Sequence, residues 1–269
     1  MISINKARTY ADYIFVNGDI LTMEDDNPYA EAVATRDEKI IFVGKRKDVM
    51  NYRDSKTEII DLDKKALLPG FIETHSHPLG FAEQLLSIRL TGTSTTSQKN
   101  LLAKMANAAQ NAPKGQFLYG WGWDEAKFEE GPTYVTKAQL DDIAPNNPVF
   151  IRRICGHGGT LNSYAMKLYG INRDTPNPPG GEIIKDVYGE PTGYLVGGAQ
   201  KLVNIPPTPR QKLYDTYVNV AQNEYLSLGI TSIADMACVP SDISLYQDAL
   251  CNGDLIVRMR YWPISRSLD

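Results

Sequence analysis

Residues 68–77 read Leu68-Pro69-Gly70-Phe71-Ile72-Glu73-Thr74-His75-Ser76-His77, with Pro78 next. The run is an apolar strand that ends in polar, metal-capable side chains. Side chains alternate between faces along a strand, so His75 and His77, two apart, project from the same face. If that strand belongs to a barrel and the pair lies at its C-terminal end, both imidazoles point into the mouth. Two imidazoles on a rigid strand can hold Zn²⁺ at about 2.0–2.1 Å once other strands add ligands. A catalytic ion needs at least three protein ligands and an open position, so the pair does not suffice alone. Surface or helix-capping histidines share this spacing, and the surrounding sequence has to decide.

Upstream, residues 12–68 read as short strands. Tyr13-Ile14-Phe15-Val16 and Ile20-Leu21-Thr22-Met23 flank Asn17-Gly18, a strong two-residue hairpin signal. A second hairpin pairs Ala30–Ala34 with Ile40–Gly44 across Asp37-Glu38-Lys39, and Glu58–Asp61 is a further strand. No long helix interrupts them, so residues 1–66 are expected to form a β-sandwich. The first barrel strand and its helix are assigned to residues 67–95.

Downstream, Leu101, Leu102, Met105, Ala108 and Ala109 recur at helical spacing. Residues 96–207 are otherwise rich in turns, with strands expected at 116–119, 149–154 and 182–185, and read as an inserted α+β region. From 208 the pattern sharpens. Thr208 and Pro209 suit a helix start and Gly229 its end, with Leu213, Tyr217, Val220, Ala221, Tyr225 and Leu228 on one face. A strand over 230–236, a helix over 241–252 and a strand over 255–262 make a βαβ unit, which implies a parallel sheet with right-handed crossover. The expected fold class is therefore α/β: a partial TIM (β/α) barrel over 67–95 and 208–269, with a sandwich before it and an insertion within it.

Composition narrows the field. The 269 residues carry a net charge of -4, 42% hydrophobic and 22% charged residues, the profile of a soluble globular protein. No basic field exists to hold a phosphate backbone, which argues against nucleic-acid binding. No apolar run approaches the ~20 residues of a membrane span. The start, MISINKARTY, has no apolar signal region. Cys155, Cys238 and Cys251 are odd in number and widely spaced, which makes neither a disulfide framework nor a metal knuckle. The setting read from these features is cytoplasmic.

The stretch at 68–77 resembles the first barrel strand of the amidohydrolase superfamily, and it follows a region similar to that family's N-terminal subdomain, including Glu38-Lys39-Ile40 leading into Val43-Gly44. Further motifs follow in order: Gly120-Trp121-Gly122-Trp123-Asp124, Cys155-Gly156-His157, Asn162-Ser163, Pro179-Gly180-Gly181-Glu182, Gly189-Glu190-Pro191-Thr192-Gly193, and Gly229-Ile230-Thr231-Ser232 through Asp235. Together they resemble the long branch that includes N-substituted formamide deformylase, and the likeness covers residues 12–262. Two positions depart: Glu73 stands where many members have Asp, and Gly197 where an acid is expected.

The resemblance implies a metal-dependent hydrolase that cleaves a non-peptide C–N bond, amide or N-acyl, of a small molecule. His75 and His77 would hold a divalent metal, zinc by preference. It also places His157 near the substrate pocket. Trp123 and Asp124, beside Trp121, could wall that pocket, or equally belong to core and turn. Asp235 lies near the end of a barrel strand, where working residues gather, and is a candidate substrate contact, although a capping or salt-bridge role is the simpler reading. No phosphate-binding loop or nucleophile elbow occurs, so a serine-hydrolase reading is unsupported.

Only three barrel strands are visible. The family's later elements would bring a bridging lysine or acid, two more histidines and a final aspartate serving as general base. The expectation is that the chain represents the N-terminal half, ending at Ser267-Leu268-Asp269, and that it is inactive until a missing half, from the same gene or a separate chain, completes it. The rival expectation is an incomplete half-barrel that binds a metabolite or partner without turnover. Homo-oligomer formation is compatible with either.

Overall fold

Strand β1 (Tyr13–Leu21) pairs antiparallel with β2 (Tyr29–Arg36), and β2 pairs with β3 (Lys39–Gly44). A single helical turn, α1 (Arg46–Val49), then leads to β4 (Glu58–Asp61) and β5 (Ala66–Leu67), both parallel to β1. This is a computed structural model describing residues 10–92 and 95–264. The ends of the 1–66 and 208–269 segments, with Ser267–Asp269, lie outside the described residues. Two compact units result: one runs to Ile72 and takes in Gly229–Ser232, and the other holds Glu73–Leu228 and the chain from Ile233.

In the first unit the sheet order is β3-β2-β1-β4, with β5 also on β1. Ile14, Val16, Ala32, Ala34 and Val49 are at most 2% exposed and form its core. Among the described residues this is one five-stranded sheet, where a two-sheet sandwich was expected.

The Asn17-Gly18 hairpin is also corrected, because β1 runs straight through it. Asn17 adopts a positive φ of 61°, and the pairing with β2 shifts register between Val16 and Ile20, which is a β-bulge. The side chain of Asn17 donates to Asp61 Oδ1 at 2.7 Å, and a Cβ on Gly18 would overlap the Lys65 carbonyl oxygen. The residues that resemble a turn serve instead to bring two parallel neighbours against one strand. The real hairpin follows at Asp37 and Glu38, both at positive φ, as the primed turns between twisted strands require.

β6 (Phe71–Ser76) runs from the first unit into the second, where it is followed by α2 (Pro78–Leu86), β7 (Ile88–Arg89), α3 (Gln98–Asn111), β8 (Leu118–Trp123), α4 (Lys137–Ile143), β9 (Val149–Arg153), β10 (Gly158–Leu161), α5 (Ser163–Leu168), β11 (Gly181–Lys185) and β12 (Pro191–Gly197). The stretch read as irregular is an ordered six-stranded mixed sheet, β11-β12-β10-β9-β8-β7. Strands β7, β8 and β9 run parallel, and β9, β10, β12 and β11 pair antiparallel.

The helices start where the side chains allow. Ser97 accepts from Asn100 N, and Thr136 forms a reciprocal capping box with Gln139. Asn162, which is 0% exposed, is fully bonded: Oδ1 accepts from Val149 N and Ala165 N, and Nδ2 donates to the Ala144 and Asn147 carbonyls. Its place in the Asn162-Ser163 motif is explained by structure. Sequence signals missed β10 because it opens Gly158-Gly159, yet a Cβ on Gly159 would come within 2.5 Å of the Phe150 ring. The glycine lets two strands approach, as glycines within sheets often do.

The chain then forms α6 (Arg210–Thr216), a π turn (Tyr217–Ala221) and α7 (Gln222–Ser227), before β13 (Ile230–Cys238), α8 (Pro240–Cys251) and β14 (Arg258–Pro263). Thr208 does not cap this helix; the cap position is Pro209, with no side-chain bond. The π turn carries one extra residue and shifts the helical phase. Tyr217 and Ala221 are buried as expected, but Val220 and Leu228 are 42% and 68% exposed, and Gln222 is fully buried instead. The last three strands order as β14-β13-β6, with α8 linking adjacent strands. They form no closed barrel among the described residues. No helix among those residues is long and apolar enough to cross a membrane.

Candidate functional site

His75 and His77 occupy the end of β6 and the residue beyond it, and both are exposed. His77 is also the N-cap of α2, with Pro78 at its first position, and its carbonyl accepts from Phe81 N. The helix therefore fixes the backbone that carries the second imidazole. Glu73 turns back to accept from His75 N at 2.9 Å. The two rings lie edge to face at 88°, with centroids 5.7 Å apart. Two imidazoles each about 2.0–2.1 Å from one tetrahedral ion would have centroids roughly 5 Å apart, close to the spacing seen here. Among the described residues no group of three or more His, Cys, Asp or Glu is gathered to hold an ion.

Behind the pair lies Asp235 on β13. Its Oδ1 is 3.5 Å from His77 Nδ1, and its side chain is 6% exposed against 56% for His77. The other oxygen, Oδ2, accepts from the Tyr246 hydroxyl at 2.7 Å. Tyr246 comes from α8 and packs edge-on to Tyr217, whose buried hydroxyl has no hydrogen-bond partner among the described residues. Nearby, Ser76 Oγ and the Tyr225 hydroxyl share a hydrogen bond of 2.8 Å. Burial and the Asp235 carboxylate push the Tyr246 hydroxyl well above the usual phenol range, so it stays protonated and donates.

Nothing in one sequence distinguishes Tyr246 among 15 tyrosines. Its role arises from how α8 packs against β13, a tertiary fact. Asp235 stands out in the sequence only as an acid at a strand end; its contact with His77 and its bond from Tyr246 arise from the packing.

Cys238, three residues beyond Asp235, is fully buried, and burial followed by the nearby Asp235 pushes its thiol up to about 12. Cys155 and Cys251 are exposed. In the native chain iodoacetamide at pH 8.5 should label the latter two and spare Cys238 until denaturant is added, as peptide mass mapping would show. An unfolded thiol ionises near pH 8.5. Between that value and about 12 the unfolded state loses the proton first, so alkaline stability should fall across that window and recover in Cys238→Ala.

The remaining sequence candidates fall elsewhere. Trp123 is 0% exposed, stacked on Phe128 and edge-on to Tyr134, which selects the core over the pocket wall that its motif equally allowed. Its apolar bulk is better satisfied inside the sheet–helix layer than at a rim. Asp124 caps the turn Glu125–Lys127 by accepting from Ala126 N. His157 is exposed in the connection between β9 and β10, where its carbonyl accepts from Gly197 N. Gly197 itself has a φ of 56°, so an acid there would be strained. Beneath Trp123, Arg153 donates to Glu125 Oε2 at 2.7 Å and also contacts Oε1, with its guanidinium over the Tyr134 ring at 5.5 Å.

The amidohydrolase family profile matches residues 58–268, and the chain belongs to that family. Among curated relatives, YtcJ of Bacillus subtilis (strain 168), itself assigned to the amidohydrolases, is 36% identical over 221 residues, 81% of this chain and 41% of that protein. The N-substituted formamide deformylase of Arthrobacter pascens is 29% identical over 249 residues, 91% of this chain and 46% of the enzyme. An uncharacterized metal-dependent hydrolase from Pyrococcus furiosus superposes with a TM-score of 0.65 at 21% identity, covering 93% of this chain and 50% of that one. The fold is thus shared at low identity. The chain spans less than half the length of these curated relatives.

Proposed function

We propose that this chain supplies His75 and His77 as the first two ligands of a divalent metal, zinc by the preference of imidazole donors, in a hydrolase that cleaves an amide or N-acyl C–N bond of a small molecule. The observation that carries the reading is the meeting of two exposed imidazoles at ligand spacing, backed by a buried carboxylate. Family membership supports hydrolytic chemistry, and the Arthrobacter enzyme's name supports an N-acyl bond.

When bound, the cation supplies the acidity that makes water a nucleophile near neutral pH and polarises a carbonyl. The chain's own residues prepare that site. β6 and the start of α2 set the two rings, and Asp235 backs one of them. Burial of Asp235 keeps its field on His77 rather than on solvent. The further ligands and the general base come from polypeptide outside these 269 residues, in one chain with them or in a partner. A cytoplasmic setting completes the reading. Asp124 and His157, if they meet substrate, do so from loops rather than from the His75–His77 rim.

Metal analysis tests this directly. A polypeptide carrying the whole amidohydrolase domain should retain zinc through dialysis, lose hydrolysis of N-acyl amines on chelation and regain it with zinc. Full turnover by thoroughly metal-free protein would overturn the reading, and stoichiometric metal without turnover would favour a binding subunit.

A further inference from the structure

We propose that Asp235 and Tyr246 are positioning residues that hold the His77 ring in one orientation, with its proton on Nδ1, so that Nε2 offers its lone pair outward. The inference rests on the reading of His77 as a ligand, but its geometry is independent of any ion. A carboxylate only accepts hydrogen bonds, so a ring nitrogen that bonds to it does so through its own proton. The nitrogen nearest that carboxylate is Nδ1, 3.5 Å from Asp235 Oδ1, with Nε2 on the other side of the ring. Ligating histidines are commonly oriented this way by a carboxylate behind them.

What distinguishes this site is how the carboxylate is itself held. Oδ2 is bound by the Tyr246 hydroxyl at 2.7 Å, and the Ala237 backbone N donates to Oδ1 at 3.3 Å. Asp235 and Tyr246 are 4% and 2% exposed. Tyr246 is packed among Tyr217, Leu245 and Ala249 and cannot swing aside without opening that cluster. Oδ2 is committed to the phenol and Oδ1 holds a longer contact from Ala237 N, so an imidazole N–H from His77 adds a further donor to Oδ1. A buried carboxylate short of donors is costly, which favours the Nδ1–H form of the ring. The device ties α8 to the end of β6 through β13.

The chain has only three histidines, so ring-¹⁵N-labelled protein can be read residue by residue, with His75→Gln and His157→Gln assigning the signals. In the metal-free 269-residue chain at pH 8, His77 should give a protonated, pyrrole-type Nδ1 and an unprotonated Nε2. Asp235→Asn should abolish that single form. Tyr246→Phe, which keeps the charge and most of the packing, should leave the carboxylate a stronger acceptor and move the His77 Nδ1–H signal downfield. In the complete domain, Asp235→Asn should weaken zinc binding by about 10–100-fold.

A proton on Nε2 of His77 in the wild type, or a tautomer unchanged in Asp235→Asn and a signal unmoved in Tyr246→Phe, would overturn the proposal. Zinc added to the complete domain separates this from the ligand reading. If the tautomer is as stated but zinc leaves the His77 Nε2 signal unmoved, the positioning stands and His77 is not a ligand.

Discussion

His77→Ala, in a polypeptide that carries the whole amidohydrolase domain, is expected to lower kcat/KM for N-acyl amines by more than about 100-fold and to lower bound zinc in parallel. The scale follows from a comparison. Residues that merely orient a ligand cost about 10–100-fold when removed, and loss of the ligand itself must cost more. His75→Ala should behave alike, because the two rings meet edge to face at one point. His157→Ala should keep its zinc, since that ring lies in the β9–β10 connection and contacts neither histidine in the structure. Steady-state kinetics beside metal analysis of the same preparations checks this. Wild-type metal and turnover in both His75→Ala and His77→Ala would sink the assignment.

Glu125→Gln is expected to cost stability heavily. Glu125 and Arg153 have side chains only 10% and 24% exposed, and the guanidinium lies against Tyr134 and Trp123. Removing one partner strands the other's charge in a poorly hydrated place, which costs about 3–5 kcal/mol. For a protein of this size that lowers Tm by roughly 10 °C. Replacing both, as Glu125→Leu with Arg153→Met, restores an uncharged interior and should lie within about 1–2 kcal/mol of wild type or above it. Thermal unfolding of the single and double variants decides the point. A single variant as stable as the parent would show that water reaches the pair.

The parts of the fold legible in the sequence were those set by short-range periodicity. Period-two spacing put His75 and His77 on one face, and Asp37-Glu38 marked the β2–β3 hairpin. Strand–helix–strand order over 230–262 gave the β13–α8–β14 connection. The failures are tertiary in origin. Asn17-Gly18 has the chemistry of a hairpin turn and of a bulge alike, and only contact with Asp61 and Lys65 selects the bulge. β10 and β12 carry glycines where strand formers would be expected, because their neighbours leave no room for a Cβ. The motif leaves Trp123 open between pocket wall and core, and only its packing on Phe128 and Tyr134 selects the core. Tyr246 joins the site through the packing of a helix whose faces a single sequence does not rank.

The π turn at Tyr217–Ala221 makes the length of this segment matter in a way that composition does not. Gln222, immediately after it, donates through Nε2 to the Asp254 carbonyl and accepts from Ile256 N through Oε1, each at 2.9 Å, clasping the approach to β14. Losing a single codon within 217–221 would reset the segment to ordinary winding and rotate Gln222 by about 100°. The clasp would open while every hydrophobic residue around it was retained. Relatives aligned across this stretch with a one-residue gap are therefore not equivalent to this chain beyond the gap, and a graft of residues 210–227 must preserve residue count before it preserves residue type.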